Sequence, residues 1–150
     1  MPQQRTELVV SGLVKNLLYD RAEAARAGRS STGNGRRPGL KGPPGGAVTN
    51  LHLKPGQGRL EDLTAKVKEG FLITELMGLH TADPISGDFS LGAAGFWIES
   101  GQTAFPVQGA AISGNMVDLF GRLAEAGSDL RFLGQVGSPS LLFDHLDVAG

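Results

Sequence analysis

Apolar and polar residues along the chain form short runs that end at turn residues, a pattern typical of β-strands. Residues 7–19 predict two strands joined by a tight turn at Ser11 and Gly12. Residues 89–100 and 102–107 predict a second hairpin, which turns at residues 99–101. Further strands are expected at residues 47–53, 71–76, 130–133 and 141–143. The pattern therefore predicts about eight strands.

Helical spacing and capping residues predict three short helices. Asp20 can cap a first helix that runs to Ala27, where Gly28 provides a left-handed stop. The second helix is indicated by three apolar residues at helical spacing that are followed by a glycine: Leu60, Leu63, Val67 and Gly70.

Asn115 is the expected cap of the third helix, which would end at Gly127. Its buried stripe is expected to consist of Met116, Phe120 and Leu123. Three short helices among many strands predict an α+β fold with a mostly antiparallel, strongly curved, barrel-like sheet. We expect residues 1–150 to form a single domain, a piece of a longer protein.

The amino-acid composition of the chain narrows the classes of function that it can have. The formal net charge is −1, so no overall field favours nucleic acid or an anionic membrane. The chain has no cysteine, which excludes disulfides, thiolate zinc ligands and a cysteine nucleophile. Its apolar runs are too short to span a bilayer, and no signal peptide is visible, so a cytoplasmic location is expected.

The segment 28–46 is a long loop rich in Gly, Pro and Arg. Loops of this length in a compact domain are often functional. Residues 30–37 combine hydroxyl groups, flexible backbone and two arginines, which is suited to an anion or a peptide carboxylate. The phosphate-binding Gly-x-x-x-x-Gly-Lys-Ser/Thr pattern is missing. The segment is therefore either a ligand contact or a solvated connector.

A second candidate is the stretch that contains His80, Asp83 and Asp88. Metal sites need three or four converging ligands, and the proline after Asp83 prevents a helix that would present a histidine pair. His52 and His145 could join only through folding. Turn dipeptides in this stretch favour a sheet corner instead of a metal site. Asp88 and Glu99 also have the right chemistry for an acid–base pair, but carboxylates on a hairpin usually face water.

The order of short motifs is more specific than any single one. They are Ser31-Thr32-Gly33-Asn34-Gly35-Arg36-Arg37, Thr49-Asn50, Ser86-Gly87-Asp88-Phe89-Ser90, Gly95-Phe96-Trp97-Ile98-Glu99-Ser100-Gly101, Ile112-Ser113-Gly114-Asn115 and Gly137-Ser138-Pro139-Ser140-Leu141. In this order they resemble the C-terminal region of the TldD/PmbA family, long labelled modulators of DNA gyrase.

The resemblance implies a cytoplasmic zinc peptidase built from two related subunits. TldD-like subunits carry the metal on a His-Glu-x-x-x-His helix upstream of the region that this sequence covers and on a cysteine near the C-terminus, whereas PmbA/TldE-like subunits lack these ligands. This sequence has neither feature, and residues 84–90 are closer to PmbA. The resemblance therefore implies no catalytic residue and no metal ligand in this chain, with zinc in a TldD-like partner.

The resulting expectation is a PmbA/TldE-like domain that pairs with a TldD-like subunit, or with itself as a dimer, and helps to enclose an unfolded peptide. Its substrate-binding residues would be Thr32, Gly33, Asn34 and Arg36. No nucleic acid and no membrane is expected as a partner. Two alternatives stay open: the C-terminal part of a metal-bearing TldD-like peptidase with its ligands upstream, and a protein-binding modulator of DNA gyrase.

Overall fold

The computed structural model describes residues 5–37, 39 and 42–150. The described chain forms two compact units. The first unit lies within Met1–Leu51 and Leu133–Val136, and the second comprises His52–Phe132 and Gly137–Gly150. The expectation of a single domain over residues 1–150 stays a prediction.

The described residues confirm a strand-rich α+β fold with three short helices. The helices are α1 (Arg21–Arg26), α2 (Leu60–Thr64) and α3 (Met116–Gly121), with a 3-10 helix at Leu79–Thr81. The strands are β1 (Val9–Val10), β2 (Leu13–Val14), β3 (Gly35–Arg36), β4 (Gly45–Gly46), β5 (Leu51–His52), β6 (Glu69–Met77), β7 (Asp88–Glu99), β8 (Gln102–Asn115), β9 (Leu123–Ala126), β10 (Arg131–Leu133), β11 (Val136–Ser138), β12 (Leu141–Phe143) and β13 (Asp147–Ala149).

The largest sheet belongs to the second unit and has the strand order β13-β8-β7-β6, with every neighbouring pair antiparallel. Along β7, the side chains of Phe89, Leu91 and Ala93 are buried at alternate positions. Ile112 of β8 packs into the same cluster. Because successive side chains of a strand point to opposite faces, this alternation places the core on one face of the sheet. The sheet was expected to be barrel-like, but each sheet among the described strands is open.

Both predicted hairpin turns are present. Ser100 and Gly101 connect β7 to β8 with φ values of 52° and 81°. Ser11 and Gly12 connect β1 to β2 with φ values of 51° and 76°. Two consecutive residues with positive φ form the turn whose twist matches that of antiparallel strands, so these turns fix the register of both hairpins.

Helix α1 also follows the prediction. The Asp20 carboxylate accepts a hydrogen bond from the Glu23 amide at 2.7 Å, and the Glu23 carboxylate accepts one from the Asp20 amide at 3.2 Å. This reciprocal capping box satisfies two helix-end amides at once. Gly28 follows the helix with a φ of +63°.

The buried stripe predicted for the third helix is wrong. Met116 and Phe120 are 41% and 43% exposed, and Leu123 lies in strand β9 because α3 ends at Gly121. Leu119 is the residue of α3 that packs against the core cluster. The predicted stripe therefore followed the wrong face of a helix that has only six residues.

Two other elements are shorter than predicted. Only Leu51–His52 of the segment 47–53 is a strand. Helix α2 ends at Thr64, and the amide of Val67 donates to the Thr64 carbonyl at 3.0 Å in a tight turn. Gly70 lies inside β6 and does not cap the helix.

Gly95 of β7 lies directly against the backbone of Leu72 and Ile73 in β6. A Cβ atom at this position would overlap the Leu72 carbonyl oxygen. We expect Gly95→Ala to lower the free energy of unfolding by about 2 kcal/mol or more, because overpacking a buried site displaces the neighbouring backbone. Urea denaturation followed by circular dichroism measures this loss.

The matched control is Gly121→Ala, because a Cβ there meets no atom within 4 Å. Its unfolding midpoint should stay the same or rise slightly, since alanine favours the helix. Equal midpoints for the two variants would contradict the close approach of β6 to Gly95.

Candidate functional site

The four residues expected to bind substrate line one cavity of the first unit. The cavity has a volume of about 220 Å³. Its lining consists of Thr32, Gly33, Asn34, Gly35, Arg36, Ala47 and Thr49. The structure thus brings Thr32, Gly33, Asn34 and Arg36 together. It adds Ala47 and Thr49, which follow the segment 28–46 in the sequence.

One wall of the cavity is held by hydrogen bonds between Thr32 and Tyr19. The Thr32 hydroxyl accepts from the Tyr19 amide at 2.8 Å and donates to the Tyr19 carbonyl at 3.0 Å. The Thr32 amide donates to the same carbonyl at 3.1 Å. Because Tyr19 directly precedes the Asp20 cap, this wall is fastened to the start of α1.

Strand β3 contributes Gly35 and Arg36 to the cavity lining and pairs with the two-residue strand β4. Gly35 pairs with Gly46, and Arg36 pairs with Gly45. Beyond this pair, the Ala47 amide donates to the Asn34 carbonyl at 2.8 Å, and the Asn34 side-chain amide donates to the Ala47 carbonyl at 3.3 Å. Part of the expected loop is therefore a pair of short antiparallel strands in which Arg36 is the one residue with a side chain larger than hydrogen.

Arg36 is oriented by Gln135, a residue that sequence reasoning missed. With its amide placed to satisfy both neighbours, Gln135 donates to the Val48 carbonyl at 3.2 Å and accepts from Arg36 Nη1 at 2.8 Å. The Gln135 carbonyl also accepts from the Leu51 amide at 2.8 Å. No local motif could have revealed this contact, because Gln135 lies about a hundred positions after Arg36.

The cavity has the chemistry of a binding site without acid–base groups. None of its lining residues is an aspartate, glutamate or histidine. Its polar groups are hydroxyls, the Asn34 amide and the Arg36 guanidinium, which carries five N–H donors in a fixed fork. Such groups can hold a peptide main chain or a carboxylate.

The stretch around His80 forms a turn, as the sheet-corner interpretation predicts. Leu79–Thr81 is a 3-10 helix, and the Asp83 carboxylate then accepts from the amides of Ile85 at 2.7 Å and Ser86 at 3.3 Å. These hydrogen bonds stabilise the carboxylate and lower the pKa of Asp83. Asp83 therefore acts as a turn residue.

Asp88 and Asn115 join this turn to the start of α3. The Asn115 side-chain amide donates to Asp88 Oδ1 at 2.8 Å and to the Ser86 carbonyl at 2.9 Å. Asn115 Oδ1 accepts from the Val117 amide at 2.9 Å and so caps α3. The hydrogen bond from Asn115, followed by one from Ser86, lowers the pKa of Asp88.

Two of the three histidines contact separate partners. His52 makes an edge contact with Phe132, and His145 lies 3.2 Å from the Asp147 carboxylate. Across residues 5–37, 39 and 42–150, no three His, Cys, Asp or Glu side chains lie close enough together to hold a metal ion. Asp88 and Glu99 begin and end β7, about 35 Å apart along an extended strand, so they do not form an acid–base pair.

No helix in the described part of the chain has the length and apolarity that a bilayer crossing requires.

Comparison with a family model identifies a match over the whole chain. The model of the PmbA/TldA metallopeptidase C-terminal domain matches residues 1–150. Metalloprotease PmbA of Escherichia coli O157:H7 is 30% identical over 148 residues, which is 98% of this chain and 30% of that protein. A TldD homologue of Haemophilus influenzae is 28% identical over 165 residues, covering 100% of this chain and 34% of that protein. The chain thus spans about a third of the length of these relatives.

Solved structures give the same result. A Thermotoga maritima protein proposed to modulate a DNA gyrase superposes with a TM-score of 0.88 at 35% identity, covering 99% of this chain and 34% of that one. TldE from Thermococcus kodakarensis superposes with a TM-score of 0.88 at 27% identity, with the same coverage of 99% and 34%.

Replacing Asn115 tests the structural role of the corner. Asn115→Ala removes the α3 cap, so we expect the free energy of unfolding to fall by about 1 kcal/mol. The pKa of Asp88 should rise toward its ordinary value of 3.8. Because its folded pKa is lowered, ionised Asp88 stabilises the fold above about pH 4, and this contribution is lost as pH falls through the folded pKa. The variant should lose less stability than the parent on acidification, as measured by urea titration and NMR.

Ile85→Ala is the control, because Ile85 lies in the same turn and is 95% exposed. This variant should change the free energy of unfolding by less than about 0.5 kcal/mol. It should leave the pKa of Asp88 unchanged. An unchanged Asp88 pKa in Asn115→Ala would contradict the assigned cause of the shift.

Proposed function

This chain belongs to the PmbA/TldA metallopeptidase C-terminal domain family, and we propose that it acts as the C-terminal domain of the PmbA/TldE-like, non-metal subunit of a two-subunit peptidase that processes or degrades unfolded peptides in the cytoplasm. In this role it pairs with a metal-bearing TldD-like subunit, or with a second copy of itself, and helps to enclose the peptide. In the pairing with a TldD-like subunit, the zinc of that subunit would supply the cleavage chemistry.

The observation that carries this proposal is the cavity that Thr32, Gly33, Asn34 and Arg36 share. It offers hydrogen-bonding groups without a nucleophile activated by a base, which fits a subunit that binds a peptide and does not cleave it. The Thr32 hydroxyl, one of the hydroxyl groups that line the cavity, accepts a hydrogen bond from the Tyr19 amide and donates one to the Tyr19 carbonyl.

Glycines make a main-chain mode of binding feasible. A Cβ atom on Gly45 would meet no atom within 4 Å, so an extended peptide can approach the backbone of the β3–β4 pair closely at this position. Main-chain hydrogen bonds give affinity with little dependence on sequence. This mode suits substrates that are recognised because they are unfolded.

The assignment of zinc to a partner is supported by the sequence. The family resemblance assigns TldD-like subunits a cysteine ligand near the C-terminus, and this chain contains no cysteine.

Asn34 provides a test of peptide binding at the cavity. Asn34→Leu keeps the side-chain size but removes its hydrogen-bonding groups, so we expect a neutral unstructured peptide to bind about tenfold more weakly. Fluorescence anisotropy with a labelled peptide of Gly, Ser, Asn and Gln residues measures the dissociation constant.

Asn50→Leu is the matched control, since Asn50 is exposed in the same unit and does not line the cavity. It should bind like the parent. Equal weakening in both variants, or no binding by the parent, would contradict peptide binding at this cavity.

Metal analysis and cleavage assays test the subunit role. We expect the purified protein to hold no stoichiometric zinc and to cleave no unfolded peptide alone. Mixed with a purified metal-bearing TldD-like subunit, it should give cleavage that a chelator abolishes. Elemental analysis measures the zinc content of the protein, and chromatography of the peptide products measures cleavage. Chelator-sensitive cleavage by this protein alone would overturn the proposal.

A further inference from the structure

Charge is divided unevenly between the two units. The first unit contains eight Lys and Arg against three Asp and Glu, a net charge of +5. The second contains six against twelve, a net charge of −6. The overall value of −1 therefore conceals a basic unit, and that unit is the one that contains the cavity.

The three acidic residues of the basic unit are already engaged. Glu7 lies 3.9 Å from Arg5 in an exposed ion pair. Asp20 and Glu23 satisfy each other's backbone amides in the capping box of α1. The net charge of +5 already includes these three carboxylates, so five positive charges of the first unit have no carboxylate in that unit to balance them.

Arg36 is the arginine that lines the cavity. Across residues 5–37, 39 and 42–150, it forms no ion pair with a carboxylate. Gln135 accepts from one N–H donor of the exposed Arg36 through Nη1, and this contact restrains the guanidinium beside the cavity. A restrained guanidinium with further donors is suited to a carboxylate, which it can bind through two parallel hydrogen bonds.

The composition of the unit favours a peptide over a nucleic acid. Proteins that bind single strands stack the bases on aromatic side chains. The first unit contains a single aromatic residue, Tyr19, and the cavity lining contains none. A single-stranded nucleic acid would meet positive charge in this unit but no aromatic surface on which its bases could stack.

We propose that the cavity selects acidic peptides, because the oriented Arg36 guanidinium and the uncompensated charge of its unit bind a peptide carboxylate. This inference rests on the proposed function, since it names the substrate class of the same site. The carboxylate is either an Asp or Glu side chain or the C-terminus of the peptide.

Three labelled peptides of equal length separate these sources. The first carries Asp and Glu with an amidated C-terminus, the second carries Asn and Gln at the same positions with the same amide, and the third is the second with a free C-terminus. We expect the first or the third to bind about tenfold more tightly than the second at ~50 mM salt. The preference should shrink at ~500 mM salt, where charges are screened within a few ångströms.

Arg36→Gln should reduce the ratio of acidic to neutral affinity to about one, whereas Arg36→Lys should keep part of it because the charge remains but the fork is lost. Lys15→Gln is the matched control, since it removes one charge from the same unit outside the cavity lining. It should keep the preference. Circular dichroism verifies that each variant is folded.

The outcomes separate the two proposals. Equal binding of all three peptides by the parent overturns the acidic preference and leaves the proposed peptide-binding function in place. No binding of any peptide overturns the proposed function itself. A preference that survives Arg36→Gln shows that the charge acts elsewhere and overturns the assignment to this cavity. Tighter binding of a single-stranded DNA oligonucleotide, in competition with the acidic peptide, overturns it in favour of nucleic acid.

Discussion

The second unit depends on the double pairing of strand β7. This strand forms antiparallel ladders with β6 on one side and β8 on the other, and it contributes the buried residues Phe89, Leu91 and Ala93. A shift of one residue in either ladder would turn these side chains to the opposite face of the sheet. The turn at Ser100 and Gly101 prevents such a shift at one end, and the corner at Asp88 and Asn115 fixes the other.

The parts of the fold that could be predicted from the sequence are those that local chemistry determines. The hairpin turns need positive φ values at consecutive residues, and α1 needs a cap at Asp20 and a stop at Gly28. The length of α3 could not be predicted in this way. Its continuation beyond Gly121 has helical spacing, but Leu123 pairs with Phe143 in a neighbouring strand instead. Tertiary pairing overrode a local pattern there.

In the candidate site, too, the residues that could be predicted are those that lie close together in the sequence. Thr32, Gly33, Asn34 and Arg36 are consecutive or nearly so, and a local motif was enough to group them. Gln135, which orients the guanidinium, is distant in sequence and had no local signal. The charge of the basic unit was hidden for a different reason. Net charge averages over the chain, and the division appears once the structure shows which residues form each unit.

Polar contacts, more than apolar burial, hold the cavity in place. The buried residues of the first unit include Ala24 and the charged Asp20, which are 3% and 4% exposed. A Cβ atom on Gly35 would lie 3.4 Å from the Asp20 Cβ, so the helix cap packs directly against the strand that lines the cavity. A region with little buried apolar surface opens more easily than a packed core. A ligand that binds the folded form of such a region stabilises it by mass action, so a peptide bound in the cavity would stabilise this unit.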